Sequence, residues 1–127
     1  MGELTATKPK CLVEVGGRSL LDWQLAAMRA AGIDDIAIVT GYQADAIPTL
    51  GLKRFKNPRW SSTNMVRSLQ CASEWLAAHE TVVSYSDIIF DKAAVSVLRS
   101  CTAPIGVTYD PSWLSLWEER FDEPLSD

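Results

Sequence analysis

Short apolar segments alternate with amphipathic segments along this chain, and this alternation limits its fold more than any other feature. Ile36–Thr40 is a compact apolar run of the kind that a parallel sheet buries on both faces. Four further strands are predicted, at Cys11–Val15, Leu52–Phe55, Thr81–Tyr85 and Ala103–Tyr109. Strands that alternate with helices in this way predict an α/β sandwich around a mostly parallel sheet.

The predicted helices carry start and stop signals at their ends. Ser19 can cap the first helix, and Gly32 is placed to end it. A long helix is expected to begin at Ser62 or Thr63, and Asp91 is expected to cap the next one. Because the elements follow one another without a linker, the sequence predicts a single domain over residues 1–127.

Composition excludes several classes of protein. A net charge of -4 gives no electrostatic reason to expect a nucleic-acid partner. The longest apolar runs are far shorter than the roughly 18 residues of a membrane-spanning helix, and no basic and apolar leader opens the sequence. The 3 cysteines are odd in number and widely spaced, which is typical of free, buried thiols in a reducing compartment. We therefore expect a cytoplasmic protein with small-molecule partners and no membrane partner.

The ends of the predicted strands supply the candidate site residues. In α/β sheets, ligands bind beyond the carboxyl ends of the strands. The residues at or near those ends are Gly41, Tyr42, Asn57, Asp87 and Asp110.

Asp87 is a candidate metal ligand. It follows the apolar segment Thr81–Tyr85, and a carboxylate in that position can hold Mg²⁺ against substrate phosphates. The alternative is an aspartate that only caps a helix or lies in a loop.

Lys10 is a candidate phosphate contact. A lysine on a loop near a phosphate site supplies a point charge that stabilises developing negative charge. Taken alone, Lys8, Pro9 and Lys10 also fit a solvated basic turn.

The segment 61–69 is rich in hydroxyl and amide side chains and is expected to begin a helix. The free N–H groups of a helix N-terminus suit an anion or the edge of a base. Ordinary helix capping by Ser62 or Thr63 is the alternative.

Two tryptophans near the end of the chain, Trp113 and Trp117, are four residues apart and therefore share a helix face. With the carboxylate of Asp110 they could form a cage for a quaternary ammonium group, in which each cation–π contact is worth about 0.5 to 2 kcal/mol. The alternative is a hydrophobic anchor that docks this helix on the sheet. Trp60 fits either a structural or a binding role.

Several of these motifs together resemble a known family. Leu4, Thr5, Pro9 and Lys10 give a Leu-Thr…Pro-Lys segment, and the block 57–69 contains Thr-Asn-x-x-x-Ser-Leu. With residues 85–87 and 110–120, the chain resembles the phosphocholine cytidylyltransferase-like branch of the NTP-transferase (nucleotidyltransferase) family over nearly its whole length. The resemblance implies a Rossmann-like three-layer sandwich.

The resemblance also implies an activity and its residues. Members of this branch join CTP to phosphocholine, or to a related phosphonate or sugar phosphate, by in-line attack with release of pyrophosphate. The implied catalytic residues are Lys10 and Asp87, with Mg²⁺ on Asp87. The nucleotide is expected to contact Lys10, Asn64 and Ser68. The acceptor is expected to contact a second group, Tyr109, Asp110, Trp113 and Trp117.

The sequence departs from the family pattern at both ends. In the family, a strand and a G-x-G-x-R loop precede the Leu-Thr segment, and further strands with a second metal-binding acid follow the region where this sequence ends. We therefore expect an incomplete domain, inactive or weakly active as given. Losing roughly four or five buried side chains at about 1.5 to 3 kcal/mol each would remove much of a domain's stability. We expect self-association through the exposed sheet edges.

Two alternatives remain open. One is a fragment of a nucleotidyltransferase that acts on a sugar 1-phosphate. The other is a degenerate, non-catalytic binding or scaffold domain, which would bind no Mg²⁺–NTP.

Overall fold

The computed structural model describes residues 5–123 and residue 125, so Leu4 of the Leu-Thr segment lies outside the described residues. The described part of the chain has mixed helices and strands with a small parallel sheet, which confirms the predicted α/β class. Its strands and α-helices are, in order, β1 (Glu14–Val15), β2 (Arg18–Ser19), α1 (Leu20–Ala30), β3 (Ala37–Thr40), β4 (Lys53–Lys56), α2 (Met65–Gln70), α3 (Ser73–Ala78), α4 (Lys92–Arg99) and α5 (Trp113–Glu118).

A tight hairpin leads into the first helix. Strands β1 and β2 pair antiparallel across Gly16 and Gly17, whose φ values of 62° and 74° favour glycine. Ser19 caps α1, because its Oγ accepts a hydrogen bond from the Asp22 N–H at 3.1 Å. The predicted cap at Ser19 and the predicted helix end before Gly32 are confirmed. Cys11, however, lies in a 3-10 turn rather than in the predicted strand.

The parallel sheet consists of β3 and β4. Ala37 pairs with Lys53 and Thr40 pairs with Lys56, so both predicted strands are present with slightly shifted ends. The Arg54 guanidinium stabilises the connection between the two strands, because it donates hydrogen bonds to three backbone carbonyls of that loop.

The core lies between α1, the 3-10 turn at Lys10–Leu12 and the sheet. Its buried members are Cys11, Leu21, Leu25 and Ile47, and half-buried apolar side chains pack against them, namely Leu12, Ile36, Ile38 and Leu52. Burial raises the pKa of the Cys11 thiol. All three cysteines are free as expected, but only Cys11 is buried, since Cys71 is half-buried and Cys101 is exposed.

Helix α4 packs against α1. Val95 of α4 is almost fully buried, and the Arg99 guanidinium donates a hydrogen bond to the Ala31 carbonyl at the end of α1. Asp91 caps α4 as predicted, with its Oδ1 accepting from the N–H groups of Ala93 and Ala94.

The predicted long helix from Ser62 or Thr63 is wrong in two respects. Asn64 is the cap instead, because its side chain accepts from the Arg67 N–H at 3.1 Å while the Thr63 hydroxyl donates to the Arg59 carbonyl. The helix also ends early: α2 stops at Gln70, and α3 begins after two residues that make tighter, i to i-3 hydrogen bonds.

Two predicted strands, Thr81–Tyr85 and Ala103–Tyr109, are also wrong, since neither forms a ladder within the described residues. Their apolar composition favours a strand, but a strand also requires the N–H and C=O groups of a neighbour. Consequently Ile105 and Val107 are 84% and 83% exposed. None of the described helices has the length and hydrophobicity that crossing a membrane requires.

We propose that the exposed segment 103–109 associates with a second copy of the chain. Its apolar side chains are exposed, and its backbone groups pair with no strand in the described structure. The average mass in sedimentation equilibrium should therefore rise with concentration. Val107→Lys should shift the chain toward the monomer. Thr102→Lys adds the same charge at an exposed polar position and should leave the association unchanged. A monomer at every concentration would contradict the proposal.

Candidate functional site

The two residues that the sequence singles out for catalysis lie in contact. The Lys10 Nζ is 3.1 Å from the Asp87 Oδ2, although 77 positions separate the residues in the chain. Their side chains are 51% and 32% exposed, so a ligand in solvent can reach both groups. The fold thus brings a cation suited to phosphate and an anion suited to metal to one accessible point.

Lys10 is held in place by its neighbours. It opens the 3-10 turn that directly follows Pro9, and both Pro9 and Cys11 are buried. The carbonyl of Pro9 accepts a hydrogen bond from the Leu12 N–H at 3.0 Å, which closes the turn. With its neighbours anchored, the Lys10 side chain points outward to Asp87, whereas Lys8 makes no such ion pair in the described structure.

Asp87 lies in a turn that is fixed by a side chain of α1. The amide nitrogen of Gln24 donates to the carbonyl of Tyr85 at 2.6 Å and to the carbonyl of Ile88 at 2.7 Å. Gln24 is only 7% exposed. Sequence reasoning missed this residue, although a glutamine on the apolar face of α1 was the signal that could have revealed it.

The described residues could hold Mg²⁺ only if a bound nucleotide supplied further oxygen ligands. Among the described residues, no group of three or more His, Cys, Asp and Glu side chains could hold a metal ion. Asp87 offers one accessible carboxylate, and Mg²⁺ is commonly held by one or two carboxylates together with substrate phosphates and water. Asp87 would therefore share the ion with the phosphates of a bound nucleotide.

Asn57 connects the end of the parallel sheet to α2 through hydrogen bonds. It is 2% exposed, and its backbone N–H donates to the Thr40 carbonyl at 2.8 Å. Its side-chain amide donates to the hydroxyls of Thr63 at 2.9 Å and Ser68 at 3.0 Å, and its Oδ1 accepts from the Arg59 N–H. The residue predicted from the strand-end rule is therefore a buried structural link.

The two predicted nucleotide contacts on α2 have local partners in this structure. The Asn64 side chain is exposed and caps the helix, and the Ser68 hydroxyl accepts from Asn57 and donates to the Asn64 carbonyl. No hydrogen bond within the described residues joins either of them to Lys10 or Asp87. Their contact with a nucleotide stays a prediction.

An aromatic pair attaches the segment that precedes Lys10 to the end of β3. The hydroxyl of Tyr42 donates to the Ala6 carbonyl at 2.7 Å, and its ring meets Trp60 edge-on with 5.2 Å between centroids. A Cβ on Gly41 would lie 2.6 Å from the Cβ of Trp60, so only glycine allows this approach. Trp60 therefore has a packing role here, with 44% of its surface exposed.

The structure does not link the predicted acceptor residues to the Lys10–Asp87 pair through any polar or ring contact among the described residues. These acceptor residues are Tyr109, Asp110, Trp113 and Trp117. Asp110 accepts from the Ser112 N–H at 2.8 Å, which leads into α5.

The indoles of α5 are not a hydrophobic anchor on the sheet. Trp113 and Trp117 are 39% and 37% exposed, and their rings meet nearly at right angles with centroids 5.7 Å apart. Trp117 also meets Phe121 edge-on, with ring centroids 5.5 Å apart, so the pair belongs to a partly exposed aromatic cluster. A cage for an ammonium group at these residues stays a prediction.

Comparison with known proteins gives a family match over almost the whole chain. A family model described as a MobA-like NTP transferase domain matches residues 1–125. No solved structure matches the chain with significance.

Three curated relatives are named for cytidylyl chemistry. CTP:phosphoglutamine cytidylyltransferase of Campylobacter jejuni is 32% identical over 134 residues, which cover 98% of this chain and 53% of the relative. CMP-5'-(3-aminopropyl)phosphonate synthase of Streptomyces rubellomurinus is 29% identical over 79% of this chain and 17% of its own length. Choline-phosphate cytidylyltransferase of Streptococcus pneumoniae is 31% identical over 58% of this chain and 34% of its own length. The chain therefore spans about half the length of these relatives or less.

Proposed function

This chain belongs to the MobA-like NTP transferase family, and on that premise we propose that its protein transfers CMP from CTP to a phosphorylated or phosphonate acceptor. The observation that carries the proposal is the ion pair between Lys10 and Asp87 at 3.1 Å. Nucleotidyl transfer needs a positive charge for the phosphates and a carboxylate for a divalent cation. This pair supplies both at one accessible point.

The reaction exchanges one anhydride bond between two phosphorus groups for another. An oxygen of the acceptor phosphate or phosphonate attacks the α-phosphorus of CTP, and the bond from that phosphorus to the bridging oxygen breaks as pyrophosphate leaves. Lys10 would stabilise the charge that spreads over the phosphate oxygens. Asp87 would hold Mg²⁺, whose charge, when the ion is bound, neutralises the triphosphate. The proposal needs no covalent intermediate on the protein.

The choice of CTP rests on the relatives. All three are named for a cytidylyl or CMP product, although their acceptors differ: phosphoglutamine, an aminopropylphosphonate and choline phosphate. The shared acceptor chemistry is a phosphoryl or phosphonyl group on a small molecule that bears a nitrogen. Phosphocholine is our proposed acceptor because its quaternary ammonium suits cation–π contact with the exposed indole pair of α5.

The test is pyrophosphate release, measured with CTP, UTP, GTP and ATP in turn. Each nucleotide should be combined with phosphocholine, phosphoglutamine, 3-aminopropylphosphonate and glucose 1-phosphate. The 127-residue chain and any longer natural form should be assayed in parallel. We expect release with CTP and an acceptor of the nitrogen-bearing group. Release only with glucose 1-phosphate would favour the sugar nucleotidyltransferase alternative, and no binding of any Mg²⁺–NTP would favour the non-catalytic scaffold.

Tryptophan fluorescence tests the acceptor separately. Phosphocholine should quench it saturably, because the quaternary ammonium lies over the indoles of Trp113 and Trp117. Trp113→Leu should weaken binding about 2- to 30-fold, which corresponds to the loss of one cation–π contact. Trp75→Leu, on α3, is the matched control and should leave the affinity unchanged. If the uncharged isostere 3,3-dimethylbutyl phosphate binds as tightly as phosphocholine, the proposed cage is wrong.

A further inference from the structure

A buried glutamine connects α1 to the turn that carries Asp87. The Gln24 amide nitrogen has two N–H groups, and it donates to the carbonyls of Tyr85 and Ile88 at 2.6 and 2.7 Å. These two carbonyls flank Asp87 on either side. Gln24 therefore binds the backbone just before and just after the turn at Asp87.

The segment around Asp87 has few other attachments. Among the described residues, the hydrogen bonds that join residues 81–90 to the rest of the chain are those from Gln24 and Lys10, and one from the Thr81 hydroxyl to the neighbouring His79 carbonyl. Within the described part of the chain, no strand ladder holds the segment. The Lys10 contact is to the partly exposed side chain of Asp87. Gln24 alone thus fixes the backbone of this turn from a helix of the core.

We propose that Gln24 is a positioning residue, which sets the orientation of the Asp87 carboxylate for a metal–nucleotide complex. This inference rests on the proposed function of Asp87. A buried amide is unfavourable unless its hydrogen bonds are made, and here its donors are used on the one loop that carries the candidate metal ligand. In other metal sites, residues that bind the metal's ligands rather than the metal itself hold those ligands in orientation. Loss of such a residue commonly lowers metal affinity or activity about 10- to 100-fold.

The main variant is Gln24→Met, which keeps the side-chain length and removes both donors. Gln70→Met is the matched control, because Gln70 is an exposed glutamine at the end of α2. Limited digestion by chymotrypsin should cut after Tyr85 faster in Gln24→Met than in the wild type, and at an unchanged rate after Leu98 in α4. This measurement does not depend on activity.

A second readout concerns the metal. The affinity for Mn²⁺ in the presence of CTP, followed by electron paramagnetic resonance, should fall about 10- to 100-fold in Gln24→Met. The kcat for pyrophosphate release should fall with it, and the apparent Mg²⁺ requirement should rise. If Gln24→Met does not fold, Gln24→Asn replaces it, since it keeps the donors but is too short to reach both carbonyls.

The outcomes separate this inference from the proposed function. An unchanged rate of cleavage after Tyr85 in a folded Gln24 variant would overturn the positioning role, as would unchanged Mn²⁺ affinity and kcat in an active protein. A wild-type protein that neither binds Mn²⁺–CTP nor releases pyrophosphate would instead overturn the proposed function, while faster cleavage after Tyr85 in Gln24→Met would still establish that Gln24 holds this turn.

Discussion

Asp87→Asn should lower pyrophosphate release from CTP by at least about 10³-fold, since it removes the one charged metal ligand of the proposed site. Asparagine keeps the size of the side chain, so the turn and its hydrogen bonds to Gln24 should persist. The same variant should lose little stability. The Lys10–Asp87 pair is partly exposed, and exposed ion pairs contribute about 0 to 1 kcal/mol. A 10³-fold rate loss corresponds to about 4 kcal/mol in the barrier.

Asp91→Asn is the matched control for this prediction. It removes one negative charge four residues further along, and asparagine caps a helix about as well as aspartate. The rate and the midpoint of urea unfolding should therefore both stay close to the wild type. Comparable activity in Asp87→Asn and Asp91→Asn would show that Asp87 is an ordinary loop carboxylate.

Lys10→Met should lower kcat about 10²- to 10³-fold, because one charged donor to the phosphates is lost. The affinity for Mn²⁺ without nucleotide should rise at the same time, since Lys10 now occupies the Asp87 carboxylate at 3.1 Å and competes for it. These opposite changes distinguish a role at the phosphates from simple destabilisation, which would lower both quantities. Steady-state kinetics and electron paramagnetic resonance on the same preparations measure them.

Two variants control the lysine prediction. Lys8→Met removes a neighbouring charge that makes no ion pair with Asp87, and it should leave kcat nearly unchanged. The double variant Lys10→Asp with Asp87→Lys can still form an ion pair, but it exchanges the positions of the phosphate-binding cation and the metal-binding carboxylate. It should leave stability close to that of the wild type without restoring activity. Recovery of activity in the exchanged protein would mean that the pair matters only as a structural contact.

Local signals in the sequence were enough to place several elements. Ser19 and Asp91 cap α1 and α4 as predicted, because a cap depends on side chains and N–H groups only a few residues apart. The strands at 37–40 and 53–56 were likewise predicted from their composition, and each finds its partner in the other. The segments 81–85 and 103–109 are more apolar than 53–56 but have no ladder in the described structure, because a strand needs a neighbour that composition does not reveal.

The sequence by itself determined the α/β class, the helix caps at Ser19 and Asp91 and the identity of Lys10 and Asp87 as candidates, all of which follow from local pattern or from family motifs. Only the tertiary structure decided that these two side chains meet across 77 positions, and that Gln24 holds the turn beside them. It also decided that Asn57 and Ser68 bind each other. Such contacts depend on how distant segments pack around a common core, and no local spacing of residues encodes that packing.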